Sequence, residues 1–389
     1  MTPQDDAVPD ESVTGARSAP ARSGPPERIL LTGATGFLGA FLLRELLDRT
    51  GATVFCLVRG GAERAHRNLA RYGLAREGDE DRVAVVGGAL DRPSLGLDPL
   101  TAGLLAESMD AIVHNGSRVN LAEGYAPLKA ANVDGTHEIL RLAARYRVTP
   151  VHYVSSAGVA IPPRPVPSIR EDRAVALEDV APIGYLRTKW VAERLVRTAA
   201  SRGVPASVYR PGRIAGHSRT GAGTADDAFW QLLRALVLVG AVPDTTGDVL
   251  IDLVPADHVA EALVRLVRQP SALGRTYHLA NSARIPFGTV LAALRSDGYA
   301  LRVVSKSAFT DLVRASADPG VQRVALVNAL VPSVLDTSDP VFDQRNVERA
   351  LPSPGCPPVD EELITRYLRY LVGTGGFPAP TAQPRVTQG

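Results

Sequence analysis

Three glycines at three-residue spacing, Gly33, Gly36 and Gly39 in LLTGATGFLGAFLLREL, stand between an apolar run at 29–32 and a helical stretch at 39–48. A strand that passes at once into a helix through glycine leaves few folds open, because the turn must be tight and the helix must pack on the strand that feeds it. The first glycine permits the turn, the second lets backbone N–H groups approach an anion, and the third lets helix lie on strand. The spacing predicts a dinucleotide-binding turn after the first strand of a wound α/β sheet, with a ligand-free glycine turn as the alternative.

Downstream the pattern alternates. Apolar runs recur at 53–58, 83–86, 111–114 and 151–154, with further β signals at 206–209 and 276–279 and helices predicted over 133–146, 185–201, 228–239 and 256–268. Strands that alternate with helices belong to a parallel sheet covered on both faces. The expected fold class is therefore α/β, a Rossmann-type doubly wound parallel sheet. Beyond Pro286 helical segments dominate, at 288–295, 307–314 and 360–371, which predicts a smaller, mostly helical C-terminal substrate subdomain. The expected organisation is a disordered leader over 1–28, a cofactor-binding Rossmann domain over 29–282, the substrate subdomain over 283–373 and a flexible tail over 374–389. Two Pro- or Gly-rich insertions, 161–182 and 212–227, are expected to serve the active site.

Composition narrows the classes of function. Forty-three basic and 41 acidic residues leave a net charge of +2 without a basic block, so nothing calls for nucleic acid. The longest apolar run, 235–242, is bounded by Arg234 and Pro243 and is too short to span a membrane. Cys56 and Cys356 lie far apart in a chain read as lacking a secretory leader, which points to a reducing cytoplasm and against disulfides. The seven histidines show no ligand spacing with carboxylates or thiols, so no metal is expected.

At the end of the second apolar run stands Arg59, twenty residues past Gly39, where a site preferring NAD would hold an acid for the ribose 2′-hydroxyl. A cation there suits a 2′-phosphate, and Arg64 and Arg67 can add to the same pocket, so NADPH is favoured over NADH. The plainer reading is a solvated arginine closing a strand. Tyr185 and Lys189, one of only three lysines, are four apart in GYLRTKWVAERL and share one helical face. Ser155 and Ser156 end the strand in HYVSSAGV, at the carboxyl edge where parallel sheets bind ligands. An ammonium beside a phenol lowers its pKa and makes it usable in proton transfer, while a serine hydroxyl holds the carbonyl oxygen. A half-buried helix tyrosine and a turn-capping serine are the structural alternatives.

Together these motifs resemble the extended short-chain dehydrogenase/reductases, and more narrowly the thioester reductase (terminal R) domains of nonribosomal peptide and polyketide synthetases and carboxylic acid reductases. The resemblance covers roughly residues 28–378 and rests on LLTGATGFLG at 31–40, CLVR at 56–59, VHNGSRVN at 113–120, NVDGT at 132–136, HYVSSAGV at 152–159, GYLRTKW at 184–190 and YRPGRIAGHSRTG at 209–221. The ending GCPPVDEELITRYLRYL, followed by GFP, is similar as well. By position it implies that Thr32, Gly33, Thr35, Gly36, Phe37 and Leu38 line the cofactor phosphates and that Arg59 meets the 2′-phosphate, to which Arg67 on the next helix turn can add. Asn115 and Gly116 would pass the adenosine side, with Pro211 and Gly212 near the nicotinamide. Ser156, Tyr185 and Lys189 would form the catalytic group, Lys189 also reaching the ribose. One departure stands out: the usual Gly-Asp-Leu after the third strand is Gly88-Ala89-Leu90, with Asp91 as the nearby acid.

The implied activity is NADPH-dependent reduction of an acyl or peptidyl thioester, held on the phosphopantetheine of a carrier protein, to an aldehyde or onward to an alcohol. The protein is expected to be cytoplasmic, either a free-standing reductase or an excised terminal domain, with its oligomeric state open and a monomer preferred. Rival readings are an extended reductase acting on acyl-CoA or a free carbonyl, a non-catalytic NADPH-binding regulator, and a non-redox member that cyclises its substrate. Intact Ser156, Tyr185 and Lys189 weigh against the last two.

Overall fold

The computed structural model describes residues 2–16, 18–22, 24–61, 63–328, 335–351 and 355–380. Among these, seven strands form the central sheet: β1 (Arg28–Thr32), β2 (Thr53–Val58), β3 (Val83–Gly87), β4 (Ala111–His114), β5 (Val151–Val154), β6 (Ala206–Pro211) and β7 (Thr276–Leu279). Their order is β7-β6-β5-β4-β1-β2-β3, and every pairing is parallel. The chain winds outward from β1 to β3 and then returns to β4 on the other side of β1, so a crevice opens at the carboxyl ends of β1 and β4.

The strands are apolar throughout because both faces are covered. Ile29 and Leu31 enter one core with the helices Phe37–Arg49 and Ala256–Val267. Leu30 enters the opposite core with the helices Gly135–Ala144 and Gly184–Ser201. Successive β-strand side chains point to opposite faces, so one short run supplies both cores.

A third core departs from the expected boundary at residue 282. Phe229, Trp230 and Leu233 of the helix Ala228–Val239 pack with Phe287 and Leu291 of Phe287–Ser296 and with Leu363, Ile364 and Tyr367 of Glu361–Gly373. The strand Arg302–Val304 pairs with Ala241–Pro243, again across the boundary. The second subdomain is therefore discontinuous: the connection after β6 leaves the sheet, contributes a helix and short strands to it, and returns through Ala256–Val267 to β7.

The leader is not a free tail. Ala7 and Val13 are buried in the same core as the Gly184–Ser201 helix. Gly15 N–H donates to Arg202 O at 2.9 Å, Ala19 N–H to Tyr146 O at 2.9 Å, and the Tyr125 hydroxyl to Asp6 Oδ2 at 2.8 Å. At the other end Phe377 is buried and the Tyr299 hydroxyl donates to Pro378 O at 2.6 Å, so the expected tail is packed at its start; residues 381–389 lie outside the described residues. Among the described residues no helix is long and apolar enough to cross a membrane.

Behind the sheet edge one ion pair is wholly buried. Arg210 of β6 donates from Nε to Glu193 Oε1 at 2.9 Å and from Nη2 to Oε2 at 2.7 Å. Ser155 donates to the same carboxylate at 2.6 Å. Arg210 and the Ser155 hydroxyl hold the carboxyl below its ordinary range against the opposing effect of burial. Glu193→Ala strands the Arg210 guanidinium and is expected to cost about 3–5 kcal/mol in denaturant unfolding. A loss below about 1 kcal/mol would mean that water reaches the arginine.

Candidate active site

Gly33 takes a left-handed φ of +75°. A Cβ there would lie 2.7 Å from Gly116 Cα and 2.8 Å from its nitrogen, so the turn after β1 closes directly on the turn after β4. Gly116 N–H donates to Thr32 Oγ1 at 2.9 Å, and Asn115 Nδ2 reaches Gly33 O at 3.5 Å. A Cβ on Gly39 would collide with Gly33 O. Gly36 is exposed and begins the helix Phe37–Arg49, whose first turn no side chain caps among the described residues. Free N–H groups and the positive end of the helix dipole fit a pyrophosphate there.

Of the residues expected to line the phosphates, Thr35 is half-buried on this turn, while Phe37 and Leu38 can offer only backbone. The Phe37 ring packs against Phe41 at 5.3 Å and Tyr72 at 5.4 Å, and Leu38 is buried. Asn68 was not legible in the sequence. Buried on the helix Glu63–Arg71, it donates from Nδ2 to Ala34 O at 2.9 Å and to Gly36 O at 2.8 Å, which holds the turn in shape. A polar residue inside a charged helical stretch gives no signal that separates this role from solvation.

Past β2 and β3 a cleft of about 380 Å³ is lined by Arg59, Gly60, Gly88, Ala89, Asp91 and Arg92 among others. The Arg59 side chain is 71% exposed, with Nη1 3.7 Å from Asp91 Oδ2. Arg64 donates to the Arg59 carbonyl at 2.6 Å. Arg67 does not line the cleft; it lies 3.9 Å from Glu63 on its own helix. Arg92 is the second guanidinium of this cleft, and only the path of the loop after β3 brings it there.

Ser155 and Ser156 divide by strand alternation. Ser155 turns inward to Glu193, whereas Ser156 is half-buried and caps the short turn Ala157–Ala160, accepting from Gly158 N–H at 3.2 Å. The neighbouring helix Gly184–Ser201 carries Tyr185 and Lys189. Lys189 is 2% exposed; Nζ donates to Val154 O at 2.8 Å and sits 5.0 Å over the Tyr153 ring and 5.9 Å from that of Tyr185. Burial pulls this amine from 10.5 down to about 7, with the Glu193 carboxylate acting the other way.

The Tyr185 phenol behaves differently from the sequence expectation. Burial pushes it up to about 12, a hydrogen bond with Ser117 pulls it down, and the Asp227 charge adds to the rise. A lysine that titrates near neutrality carries only part of a cation, which weakens its pull on the phenol. Ser117 thus joins the site, while Asp227 acts on it only through its charge. Pro211 and Gly212 close β6, with Gly212 N–H donating to Leu279 O at 2.9 Å. The buried Asp252 carboxyl packs on Gly212, is pushed up to about 7 by burial, and leaves Oδ2 without a partner among the described residues.

Lys189 gives the free chain a pH dependence of definite sign. Between about 7 and 10.5 the unfolded chain binds a proton that the folded chain lacks, so the amine makes unfolding harder as pH rises through that window. The stability of the parent relative to Lys189→Met is expected to rise from about pH 7 to about pH 10 in urea unfolding. A flat difference would place the amine in water.

The male sterility protein family matches residues 31–263. A linear gramicidin synthase of Brevibacillus parabrevis is 34% identical over 99% of this chain and 8% of its own length. Isonitrile lipopeptide synthase of Streptomyces coeruleorubidus is 36% identical over 97% of this chain and 26% of its own length. The chain therefore spans about a quarter or less of these curated relatives. Among solved structures, the terminal R domain from the myxalamid PKS-NRPS biosynthetic pathway superposes with a TM-score of 0.90 at 41% identity, covering 97% of this chain and 99% of that one. The reductase (R) domain of a nonribosomal peptide synthetase from Mycobacterium tuberculosis follows with a TM-score of 0.77 at 27% identity, covering 97% and 100%. With its glycine turn, its strand-end serine and its Tyr-Lys helix in one wound sheet, the chain belongs to the male sterility protein family of NAD(P)-dependent reductases, among the terminal R domains.

Proposed function

We propose that the chain is an NADPH-dependent reductase that releases an acyl or peptidyl thioester, carried on the phosphopantetheine of a carrier protein, as an aldehyde. The observation that supports this reading is that Lys189 donates to Val154 O at the end of β5, two residues before Ser156, while the Tyr185 phenol meets Ser117, next to Gly116. A reduced nicotinamide bound along that edge would supply the hydride. The chain's own residues then have separable tasks.

Ser156, at the head of a short turn, presents its hydroxyl to the thioester oxygen and orients it. Tyr185, with its phenol pushed up to about 12, keeps its proton across the neutral range and can give it to the oxygen as the hydride adds; the thiohemiacetal then returns its hydroxyl proton as the C–S bond breaks, and the phosphopantetheine leaves as the thiol with the aldehyde free. Lys189, anchored on Val154 O, fixes the helix against β5 and offers an ammonium or amine to the sugar of the dinucleotide. Arg59 and Arg92 set two guanidinium groups at the cleft that suits a 2′-phosphate, the reason to prefer NADPH.

Tyr185→Phe is expected to lower turnover by about 100-fold or more while leaving NADPH affinity near that of the parent. Unchanged turnover would remove the tyrosine from proton transfer. Arg59→Ala is expected to raise the KM for NADPH by about ten-fold and that for NADH far less; an equal rise would place the arginine away from the phosphate. The reaction itself is tested by following NADPH oxidation with an acyl carrier thioester, the same acyl group on CoA, and the free aldehyde. Turnover with the carrier thioester and recovery of aldehyde or alcohol support the reading. Turnover with CoA or aldehyde alone overturns it in favour of a simpler carbonyl or acyl-CoA reductase, and tight binding without turnover favours a regulator.

A further inference from the structure

A file of buried hydrogen bonds runs from the glycine turn to the helix that carries Tyr185 and Lys189. Gly116 N–H donates to Thr32 Oγ1, which lies 2.7 Å from His114 Nδ1. On the other side of the ring, Nε2 lies 3.0 Å from Thr136 Oγ1, and the Thr136 hydroxyl donates to Asn132 O at 2.7 Å. Asn132 Nδ2 donates to Thr188 Oγ1 at 3.0 Å, and the Thr188 hydroxyl donates to Tyr185 O at 2.7 Å. The Asn132 side chain also clasps the main chain of Arg118, accepting from its N–H at 2.7 Å and donating to its carbonyl at 2.9 Å. Asn132 sits in a π-helical turn, Ala130–Asp134, the wide turn that often marks functional positions.

Counting donors fixes the direction of the file. The single proton of Thr136 is spent on Asn132 O, so its oxygen must accept from His114 Nε2–H. With Nε2 protonated and the ring uncharged, Nδ1 is bare and accepts the Thr32 proton. The imidazole is thus a neutral Nε2–H tautomer. Burial and the nearby Lys189 both act against a charged ring, pulling His114 down to about 3, and the Tyr153 ring covers one side at 5.6 Å.

We propose that His114 is a positioning residue, a neutral linker that fixes the spacing between the dinucleotide turn at Thr32, Gly33 and Gly116 and the Tyr185 end of the catalytic helix. This rests on the reading of that turn as the cofactor site and of Tyr185 as the proton donor. A file of this kind transmits displacement because each hydroxyl is held from both sides. Loosening it in the middle should disturb cofactor affinity and turnover together, although His114 touches neither ligand nor substrate.

The test compares His114→Leu, which removes both polar contacts, with His114→Gln, whose amide keeps one acceptor and one donor. NADPH affinity is read by nicotinamide fluorescence, turnover with the carrier thioester, and the ring nitrogens of the parent by ¹⁵N NMR from about pH 5 to pH 9. The expected result is a Kd for NADPH raised about ten-fold and a kcat lowered about ten-fold in H114L, with H114Q within about three-fold of the parent in both. The parent ring should stay Nε2–H across the range. A role confined to stability would lower the unfolding midpoint of H114L and leave Kd unchanged, which overturns the proposal. So does an H114Q as impaired as H114L, or a ring that titrates in this range or carries its proton on Nδ1. If H114L does not fold, H114Q and the ring spectra decide. A parent without thioester turnover would sink the functional reading, while NADPH affinities and the tautomer would still judge His114.

Discussion

The contact of Gly33 with Gly116 is a backbone-to-backbone approach at the place where the winding of the sheet reverses, and the rest of the site depends on it. Because neither residue has a side chain, the turns after β1 and β4 meet with about 2.8 Å between a notional Cβ and the opposing nitrogen, which no other residue pair allows. That approach brings Gly116 N–H onto Thr32 and puts the first turn of the Phe37–Arg49 helix over the crevice. It also anchors the file through His114, since the Thr32 hydroxyl that accepts from Gly116 N–H lies 2.7 Å from the ring. Asn68 then braces the same turn from outside, through two of its carbonyls.

Around this geometry, burial sorts the ionisable groups into two kinds. Glu193 keeps its charge because Arg210 and Ser155 supply donors to both carboxylate oxygens. Lys189, Tyr185 and Asp252 lack such matched partners and move toward their neutral forms. The division follows from the cost of a charge in low dielectric, which falls only when opposite charge and hydrogen bonds are already in place. These three groups therefore rest near their neutral forms, while the ion pair keeps its charge.

This separation explains what could be read from the sequence. The strands and the helix Ala228–Val239 were legible because burial on two faces, or on one helical stripe, leaves a period in the residue pattern. The glycine turn and the Tyr185–Lys189 spacing were legible for the same reason: local geometry demands residue types at fixed intervals. The packing of the leader was not, since the buried apolar side chains of Ala7 and Val13 make no period in a Pro- and Ser-rich stretch otherwise held by hydrogen bonds. The discontinuous subdomain was hidden because its core joins segments distant in sequence. Arg92 and Arg67 are alike as letters, and only the loop after β3 decides which faces the cleft. The shift of Lys189 and the wide turn at Asn132 depend on burial and on hydrogen-bond register, neither of which has a one-dimensional signature.

Asp252 lies where the sheet meets the second subdomain: its N–H donates to Asp339 Oδ2 at 2.8 Å, and its Oδ1 accepts from Asn281 N–H at 2.8 Å. Arg213, directly after Gly212, donates to Asp339 at 2.6 Å and to the Asp252 carbonyl at 3.1 Å. Asp339 belongs to the segment leading to the strand Val341–Phe342, which pairs with Ser168–Ile169 in the long insertion before the Tyr185 helix. The end of β6, the segment after β7 and the second subdomain are thus tied at one acidic residue, whose carboxyl fills the space that a side chain at position 212 would take. Sliding the second subdomain over the sheet would break both the Arg213–Asp339 pair and the bond from Asp252 N–H to Asp339, so the two cores are coupled at this point.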